Sequence, residues 1–223
     1  MTIDVDLLRK QFPTLTHKTY LNSGSYGLLA FSVRQAFETY LDCRVAHGAA
    51  WGEWVDRTDD LRSRVARLLN SQADDIAITA SASAGINALA SCFDSNGTRK
   101  KIVVSDFEFP TTGQIWHAQE RRGLHIVHVP ENERGDIPIE FFEQAIDEDT
   151  ALVSIAHVCY RNGVKLDIEP IVRIAHERGA LLLLDCYQSV GVSRVDVHAL
   201  DVDFAVGGML KYLLGTEIGR AHV

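Results

Sequence analysis

The sequence predicts an α/β domain with a mostly parallel sheet flanked by helices, preceded by an N-terminal helical arm. From about Asp75 onward, short apolar runs typical of strands alternate with amphipathic stretches typical of helices. This alternation is the pattern of a parallel sheet with helices on both faces. Runs as uniformly apolar as "ALLLLD" (180–185) also fit strands that are buried on both sides. The earlier residues differ, because they carry two helical patterns.

The individual elements follow from these patterns. Strands are predicted at 76–79, 101–106, 125–129, 151–158, 180–185 and 203–208. Helices are predicted between most of them, for example at 85–93 and 167–179. In the latter helix the apolar residues that share one face are Ile168, Ile171, Val172 and Ala175. Gly179 is well suited to end that helix, because glycine adopts the left-handed conformation that follows many helix C-termini.

The N-terminal part contains two predicted helices, "FSVRQAFETYLDCRVAHG" (31–48) and "DRTDDLRSRVARLLN" (56–70). An extended arm, "TYLNSGSYGLL" (19–29), precedes them. The chain shows neither internal repeats nor low-complexity linkers. We therefore divide it into an N-terminal arm with helices, residues 1–74, and one larger domain, residues 75–216.

Composition excludes several classes of function. The formal net charge of −8 argues against a surface that binds nucleic acid or an anionic membrane. No stretch is apolar enough to span a bilayer, and the polar, acidic N-terminus is unlike a signal peptide. The four cysteines are scattered without CxxC spacing, as expected for reduced residues. His125 and His128 fall on opposite faces of a predicted strand, so no metal site is expected. We expect a cytoplasmic protein.

The first candidate site is "TASASAGIN" (79–87), where a predicted strand runs through small residues into a helix. Small side chains let backbone N–H groups approach an anion, and the helix N-terminus adds partial positive charge. Ser81 and Ser83 could add hydroxyl groups. The alternative is that a serine only caps the helix, since serine is a favoured N-cap residue.

The second candidate is Asp185, which directly follows four leucines. A carboxylate at the end of a buried strand is costly unless it meets a cation or hydrogen-bond donors. Gln188, three residues later, could point into the same crevice. The alternative is that Asp185 only caps a helix.

The third candidate is Lys211, which follows "DFAVGGML" and has apolar neighbours. A lysine held among apolar groups has a lowered pKa and can act as an amine nucleophile. The alternative is an ordinary surface lysine.

The three sites are more specific together than apart. An anchor for a phosphate, a carboxylate for a protonated pyridine nitrogen, and an amine for a Schiff base are what pyridoxal 5′-phosphate (PLP) needs. In an open parallel sheet such sites meet beyond the carboxyl ends of the strands. The sequence therefore predicts a PLP site at that edge.

Five motifs, in this order, resemble those of the class V aminotransferase group of fold-type I PLP enzymes, which includes cysteine desulfurases, kynureninases and isopenicillin-N-epimerase-like proteins. They are "YLNSGSYG" (20–27), "TASASAGIN" (79–87), "DFEFPTT" (106–112), "DCYQSVG" (185–191) and "VDFAVGGMLKYLLG" (202–215). The resemblance covers essentially the whole chain up to Gly215. It implies the large domain of a fold-type I PLP-dependent transferase, with a seven-stranded-type sheet that is incomplete here.

The resemblance also implies roles for individual residues. Ser81, Ala82 and Ser83 are expected at the cofactor phosphate. Phe109 is expected to stack on the pyridine ring. Asp185 would bind the ring nitrogen and Gln188 the ring hydroxyl. Lys211 would form the Schiff base.

Two departures from the group's motifs stand out. Relatives carry hydroxyl or imidazole side chains that help to bind the phosphate just before the lysine, where this chain has Gly208, Met209 and Leu210. Tyr160 lies where desulfurases have an asparagine near the cofactor, and its role is left open.

The expected function is that of a PLP-dependent enzyme that acts on an amino acid, with transamination as the default. Desulfuration, kynurenine hydrolysis, β-elimination and epimerisation remain alternatives within the group. A non-catalytic, Rossmann-like nucleotide-binding domain is an alternative from another class, although the chain lacks a GxGxxG fingerprint. The resemblance further implies a homodimer for the full-length protein, with no nucleic-acid or membrane partner.

The C-terminal end of the sequence carries its own expectation. From the resemblance, we expect the group's C-terminal small domain, which holds most determinants of reaction type, to be missing from this sequence. The DNA sequence GAGATCGGAAGAGCACACGTC, which contains the start of a widely used sequencing adapter, encodes the same seven residues as 217–223, "EIGRAHV". We therefore expect this heptapeptide to be an assembly artefact, the alternative being a natural C-terminus.

Overall fold

A five-stranded parallel sheet forms the centre of the molecule. The computed structural model describes residues 4–93 and 96–216. The strands are β1 (Lys101–Ser105), β2 (His125–Val129), β3 (Thr150–Ala156), β4 (Leu181–Asp185) and β5 (Phe204–Val206). Their order across the sheet is β2-β1-β3-β4-β5, and every neighbouring pair is parallel. The predicted fold class is confirmed.

Seven α-helices accompany the sheet in the described part of the chain. They are α1 (Val5–Arg9), α2 (Phe31–His47), α3 (Trp51–Leu69), α4 (Ala82–Ala90), α5 (Pro110–Ala118), α6 (Ile139–Ala145) and α7 (Ile168–Glu177). Both predicted N-terminal helices are present as α2 and α3. None of the described helices has the length and apolar character that crossing a lipid bilayer requires.

The sheet separates two apolar clusters, because alternate residues of each strand point to opposite faces. Leu152 and Leu183 belong to the cluster that includes residues of α4 and α5. Val153 and Leu182, their neighbours in sequence, belong to the cluster that includes residues of α3, α6 and α7. The central strands are therefore mostly apolar, since both of their faces are covered.

Helix α7 begins and ends as its sequence predicts. Ile168, Ile171, Val172 and Ala175 are all buried, each with at most 4% of its surface exposed. Gly179 has a φ of +71° just after the helix. Its N–H donates to the carbonyl of His176, and the N–H of Ala180 donates to that of Ala175, which is the Schellman arrangement. The chain then enters β4 directly.

The predicted strand at 76–79 is wrong. Ile76 has extended backbone dihedrals, yet residues 76–78 belong to no strand among the described residues, and Thr79 forms only an isolated bridge. An apolar run becomes a strand only when a neighbouring segment pairs with it. The proposed artefact at 217–223 lies outside the described residues.

Candidate active site

A large cavity lies beyond the carboxyl ends of the strands. It encloses about 1170 Å³ between the sheet edge, the N-terminal arm and helix α2. β1 and β3 are neighbours whose connections leave in opposite directions, which is where open parallel sheets bind ligands. All seven residues that the sequence singled out line this cavity: Ser81, Ala82, Ser83, Phe109, Asp185, Gln188 and Lys211.

Ser81 is the N-cap residue of α4. Its Oγ accepts a hydrogen bond from the backbone N–H of Ala84 at 3.0 Å. This serine therefore does cap the helix, as the alternative held, but other backbone N–H groups of the first turn remain available as donors. Ala82 and Ser83 occupy the first helical turn, where backbone N–H groups have no acceptor within the helix. This end of α4 can accept an anion from the cavity.

Asp185 is the last residue of β4, paired with Ala156 of β3 on one side and Val206 of β5 on the other. No described helix begins there, so the helix-cap alternative is wrong; instead the N–H of Tyr187 donates to Oδ1 at 2.8 Å within a turn. Burial raises the pKa of Asp185 to about 6, against the opposing effects of the Tyr187 N–H and the Lys211 charge. The carboxyl group is thus charged at neutral pH only at an energetic cost.

Lys211 is half-buried in the cavity, so it is not an open surface lysine. Its Nζ lies 4.8 Å from the centroid of the Tyr187 ring and 6.0 Å from that of Phe109. Desolvation lowers the pKa of the amine, while the Asp185 carboxylate works in the opposite direction. A lowered pKa increases the fraction of unprotonated amine, which is the nucleophilic form.

The N-terminal arm packs directly against the lysine segment. The N–H of Gly27 donates to the carbonyl of Leu210 at 2.9 Å. A Cβ on Gly27 would overlap the carbonyl oxygen of Lys211 and lie 2.8 Å from that of Leu210, so only glycine allows this approach. The motif "YLNSGSYG" therefore positions the backbone that carries Lys211.

Gln188 connects the same arm to the turn after β4. Its Nε2 donates to the carbonyl of Gly24 at 3.0 Å. The side chain lines the cavity as expected, and the structure adds an anchoring contact that the sequence did not indicate. Its expected contact with a ring hydroxyl stays a prediction.

Phe109 and Tyr160 form an aromatic pair at the cavity wall. Their ring centroids are 5.1 Å apart with an interplanar angle of 69°, an edge-to-face contact. Phe109 is also the N-cap residue of α5 and keeps 48% of its surface exposed. Tyr160, whose role the sequence left open, thus supports the aromatic side chain that is expected to meet the cofactor ring.

Tyr187 explains one departure from the group's motifs. A Cβ on Gly208 would overlap the Tyr187 ring, so the missing side chain makes room for the tyrosine beside Lys211. Met209 and Leu210 line the cavity without offering a side-chain donor, as the sequence indicated. Sequence reasoning missed Tyr187; its position between Asp185 and Gln188 was the available signal.

Glu108 was also missed. It follows β1, is only 7% exposed, and accepts a hydrogen bond from Ser154 Oγ at 3.0 Å through Oε1. Burial and the nearby Asp185 charge raise its pKa well above the usual range of a glutamate. The signal in the sequence was a charged residue between two aromatic residues, in "FEF" directly after an apolar strand.

The residues present fit PLP. The cavity brings together an anion-binding helix N-terminus, a buried carboxyl group, a half-buried amine and aromatic faces. Among the described residues, no group of three or more histidine, cysteine or acidic side chains could hold a metal ion.

Comparison with known proteins gives a consistent result. A family model described as Aminotransferase class-V matches residues 43–218. The chain is 35% identical over 207 residues to the "uncharacterized aminotransferase YcbU" of Bacillus subtilis (strain 168), covering 93% of this chain and 55% of that protein. It is 30% identical to a probable cysteine desulfurase of Methanothermobacter thermautotrophicus (93% and 53% covered) and 29% identical to a kynureninase of Pseudomonas fluorescens (97% and 53%). The chain spans about half the length of these curated relatives.

Solved structures share the fold. The cysteine desulfurase CsdA of Escherichia coli superposes with a TM-score of 0.86 at 22% identity, covering 100% of this chain and 58% of that one. A variant of C-DES, solved with glycine covalently linked to its PLP cofactor, gives the same score and identity over 96% of this chain and 58% of its own. The sheet and its flanking helices therefore have the fold of fold-type I PLP-dependent transferases.

Proposed function

The chain belongs to the class V aminotransferase family, and from that premise we propose that it binds PLP and acts on an amino acid, with transamination as the reaction. The observation that carries the proposal is the meeting of Lys211, Asp185 and the N-terminus of α4 in one cavity. These groups come from distant parts of the sequence, and each has the chemistry that a different part of the cofactor requires.

Bound PLP supplies an aldehyde that condenses with amines and a pyridine ring that accepts electrons from a substrate carbon. In the proposal, Ser81, Ala82 and Ser83 bind its phosphate through hydroxyl and backbone N–H groups. Asp185 holds the proton on the ring nitrogen, and Phe109 covers one face of the ring. Gln188 remains the proposed contact of the ring hydroxyl.

Lys211 has two proposed tasks: it holds the aldehyde covalently, and then, as a free amine, it moves a proton at the substrate α-carbon. Both require an unprotonated Nζ, which the desolvated position of this amine favours. Tyr187 and Phe109 flank the Nζ atom and limit the directions from which water reaches it.

The relatives differ in the reaction that their names give. The relatives named above are called an aminotransferase, a cysteine desulfurase and a kynureninase. Transamination is the default because, besides the amino acid and a 2-oxo acid that accepts its amino group, it needs only the cofactor and a lysine that transfers a proton. Desulfuration, kynurenine hydrolysis and epimerisation are the alternatives.

We further propose a homodimer in the cytoplasm. Helix α2 lines the cavity, yet it contains no buried residue, and apolar side chains on and near it are exposed. A second copy of the chain would cover that surface. All four cysteines are free thiols, as a reducing compartment requires.

Borohydride reduction tests the proposed cofactor. The protein is incubated with PLP, reduced, digested and examined by peptide mass spectrometry. We expect the reduced cofactor on the peptide that contains Lys211. The variant Lys211→Arg keeps the charge and should lose the label, whereas Lys10→Arg, a matched change at an exposed lysine, should keep it. A folded, PLP-saturated protein without label at Lys211 would contradict the proposal, and nucleotide binding in its place would favour the Rossmann-like alternative.

A further inference from the structure

Two carboxyl groups, Asp185 and Glu108, are buried beside the same face of the sheet. Asp185 pairs with Ala156 of β3, and Ser154, which binds Glu108, lies two residues earlier on that strand and therefore on the same face. Each residue is 7% exposed. Asp185 lines the cavity and Glu108 does not, so Glu108 lies behind the cavity wall.

Few charges are available to compensate the pair. Helices α4 and α5 cover this face, and neither carries Asp, Glu, Lys or Arg. His117 of α5 is bonded to His128 and Glu120 at the exposed surface. Asp106, near Glu108 in sequence, is bonded to His128. Lys211 is the one cation in the described cavity lining, so two buried negative charges would face one positive charge, an unfavourable arrangement.

The hydrogen bonds indicate which of the two carboxyl groups is better stabilised as a carboxylate. Asp185 receives the backbone N–H of Tyr187 and lies within the field of Lys211. Glu108 Oε1 accepts the hydroxyl of Ser154, and the Thr112 side chain and the Phe109 backbone also favour its charged form, but its Oε2 is buried without a hydrogen-bond partner in the described structure. An ionised oxygen left without donors costs more than an unpaired acid hydroxyl.

We propose that Glu108 is a positioning residue for Asp185: it stays a neutral carboxylic acid behind the cavity and leaves Asp185 as the carboxylate that faces Lys211. The direction of the effects agrees, since burial and the Asp185 charge both favour the protonated form of Glu108. The consequence for a protonated pyridine nitrogen rests on the proposed function, whereas the charge assignment concerns the chain without cofactor.

Isotope-edited infrared spectroscopy of the whole, cofactor-free chain tests this assignment. A protonated carboxyl group has a C=O stretch well separated from the bands of a carboxylate. With ¹³C-labelled glutamate at pH 7, we expect one shifted band from a buried acid in the wild type and its loss in Glu108→Gln. The band should persist in Glu143→Gln, a matched change at an exposed glutamate.

Two further variants give readouts that a merely structural role would not move. In Asp185→Asn, the midpoint at which the Glu108 band disappears should fall to lower pH, because the repelling charge is gone. In Ser154→Ala, the band should move to higher wavenumber, because Oε1 loses its donor. Both comparisons remain available if Glu108→Gln fails to fold.

Two outcomes would overturn the inference: no protonated glutamate band at pH 7 in the wild type, or an unchanged midpoint in Asp185→Asn. Neither depends on PLP. A missing band together with a reduced cofactor on Lys211 would remove this inference and leave the proposed function intact. A glutamate band without a reduced cofactor on Lys211 would keep this inference and contradict the proposed function.

Discussion

At the scale of single residues, the cavity holds ionisable groups in positions where their burial is unfavourable for folding. Asp185 and Lys211 are both desolvated, and each is shifted toward its neutral form despite attracting the other. Attraction between them offsets only part of the cost of removing two charges from water. Groups that destabilise a fold while serving a site are a common compromise between stability and activity.

The substitution Asp185→Asn should therefore stabilise the cofactor-free chain at alkaline pH. The pKa of about 6 lies above the ordinary value of 3.8, so the folded state binds this proton more tightly than the unfolded state. The stability that protonated Asp185 contributes is present at low pH and is lost as the pH rises through 6. At pH 8 we expect the variant to gain about 1–3 kcal/mol in free energy of unfolding, measured with urea, and little at pH 4.

Asp42→Asn provides the control for this prediction, because Asp42 is exposed on α2. It should leave the free energy of unfolding nearly unchanged at both pH values. An equal change in free energy of unfolding for Asp185→Asn at pH 4 and pH 8 would contradict the assignment. Removing an unfavourable buried charge matters only at a pH where the carboxyl group is ionised.

At the scale of elements, the first turn of α4 combines a structural and a functional part. Ser81 Oγ satisfies the N–H of Ala84, and thereby serves the helix itself. Ser83 lines the cavity, and its carbonyl accepts a hydrogen bond from the Asn87 side chain, while its hydroxyl takes part in no hydrogen bond among the described residues. The two serines thus differ, because the hydroxyl of Ser81 already caps the helix and that of Ser83 does not.

Alanine substitutions at these two serines should separate the structural part of the first turn of α4 from its functional part. Without ligand, Ser81→Ala should lower the free energy of unfolding by about 1 kcal/mol, because the helix loses its cap. Ser83→Ala should change it by less than about 0.5 kcal/mol. Both variants should bind PLP more weakly in fluorescence titrations. A Ser83→Ala variant with wild-type affinity would remove its hydroxyl from the proposed phosphate site.

At the scale of the whole molecule, the N-terminal helices leave apolar surface uncovered. Val45 is 89% exposed and Trp51 is 72% exposed, and Leu21 in the arm is 92% exposed. Helix α3 buries Val65, Ala66 and Leu69 against the sheet side, whereas α2 buries nothing. Contiguous exposed apolar patches mark interaction surfaces, and the proposed homodimer would bury these side chains in one.

A charge placed in that surface should weaken the proposed homodimer. Val45→Asp should reduce dimer affinity by about tenfold or more, because the aspartate would be desolvated on association. Sedimentation equilibrium measures the change. Val192→Asp is the matched control, since Val192 is also exposed, at 62%, but lies far from α2 in sequence. A wild type that remains monomeric at high concentration, or equal effects of both variants, would contradict the proposed interface.

Much of the fold and of the site could be predicted from sequence. Alternating apolar runs indicated the parallel sheet, and "DIEPIVRIAHERG" indicated a helix that ends at Gly179, since these signals depend on neighbouring residues alone. Asp185 and Lys211 stood out because a charge beside a buried strand is unusual wherever it occurs. The rule that open parallel sheets bind ligands beyond the carboxyl ends of their strands then sufficed to predict one shared site.

Only the tertiary structure decided the contacts between distant segments. Whether 76–79 forms a strand depends on a pairing partner that its own residues do not specify. The approach of Gly27 to Lys211, the packing of Tyr187 over Gly208, and the burial of Glu108 behind Asp185 depend on strand register and on the path of the N-terminal arm. The sequence by itself determined which chemical groups are present and on which elements they lie. Packing decided which of them meet and how far water is kept away, and therefore which charge each one carries.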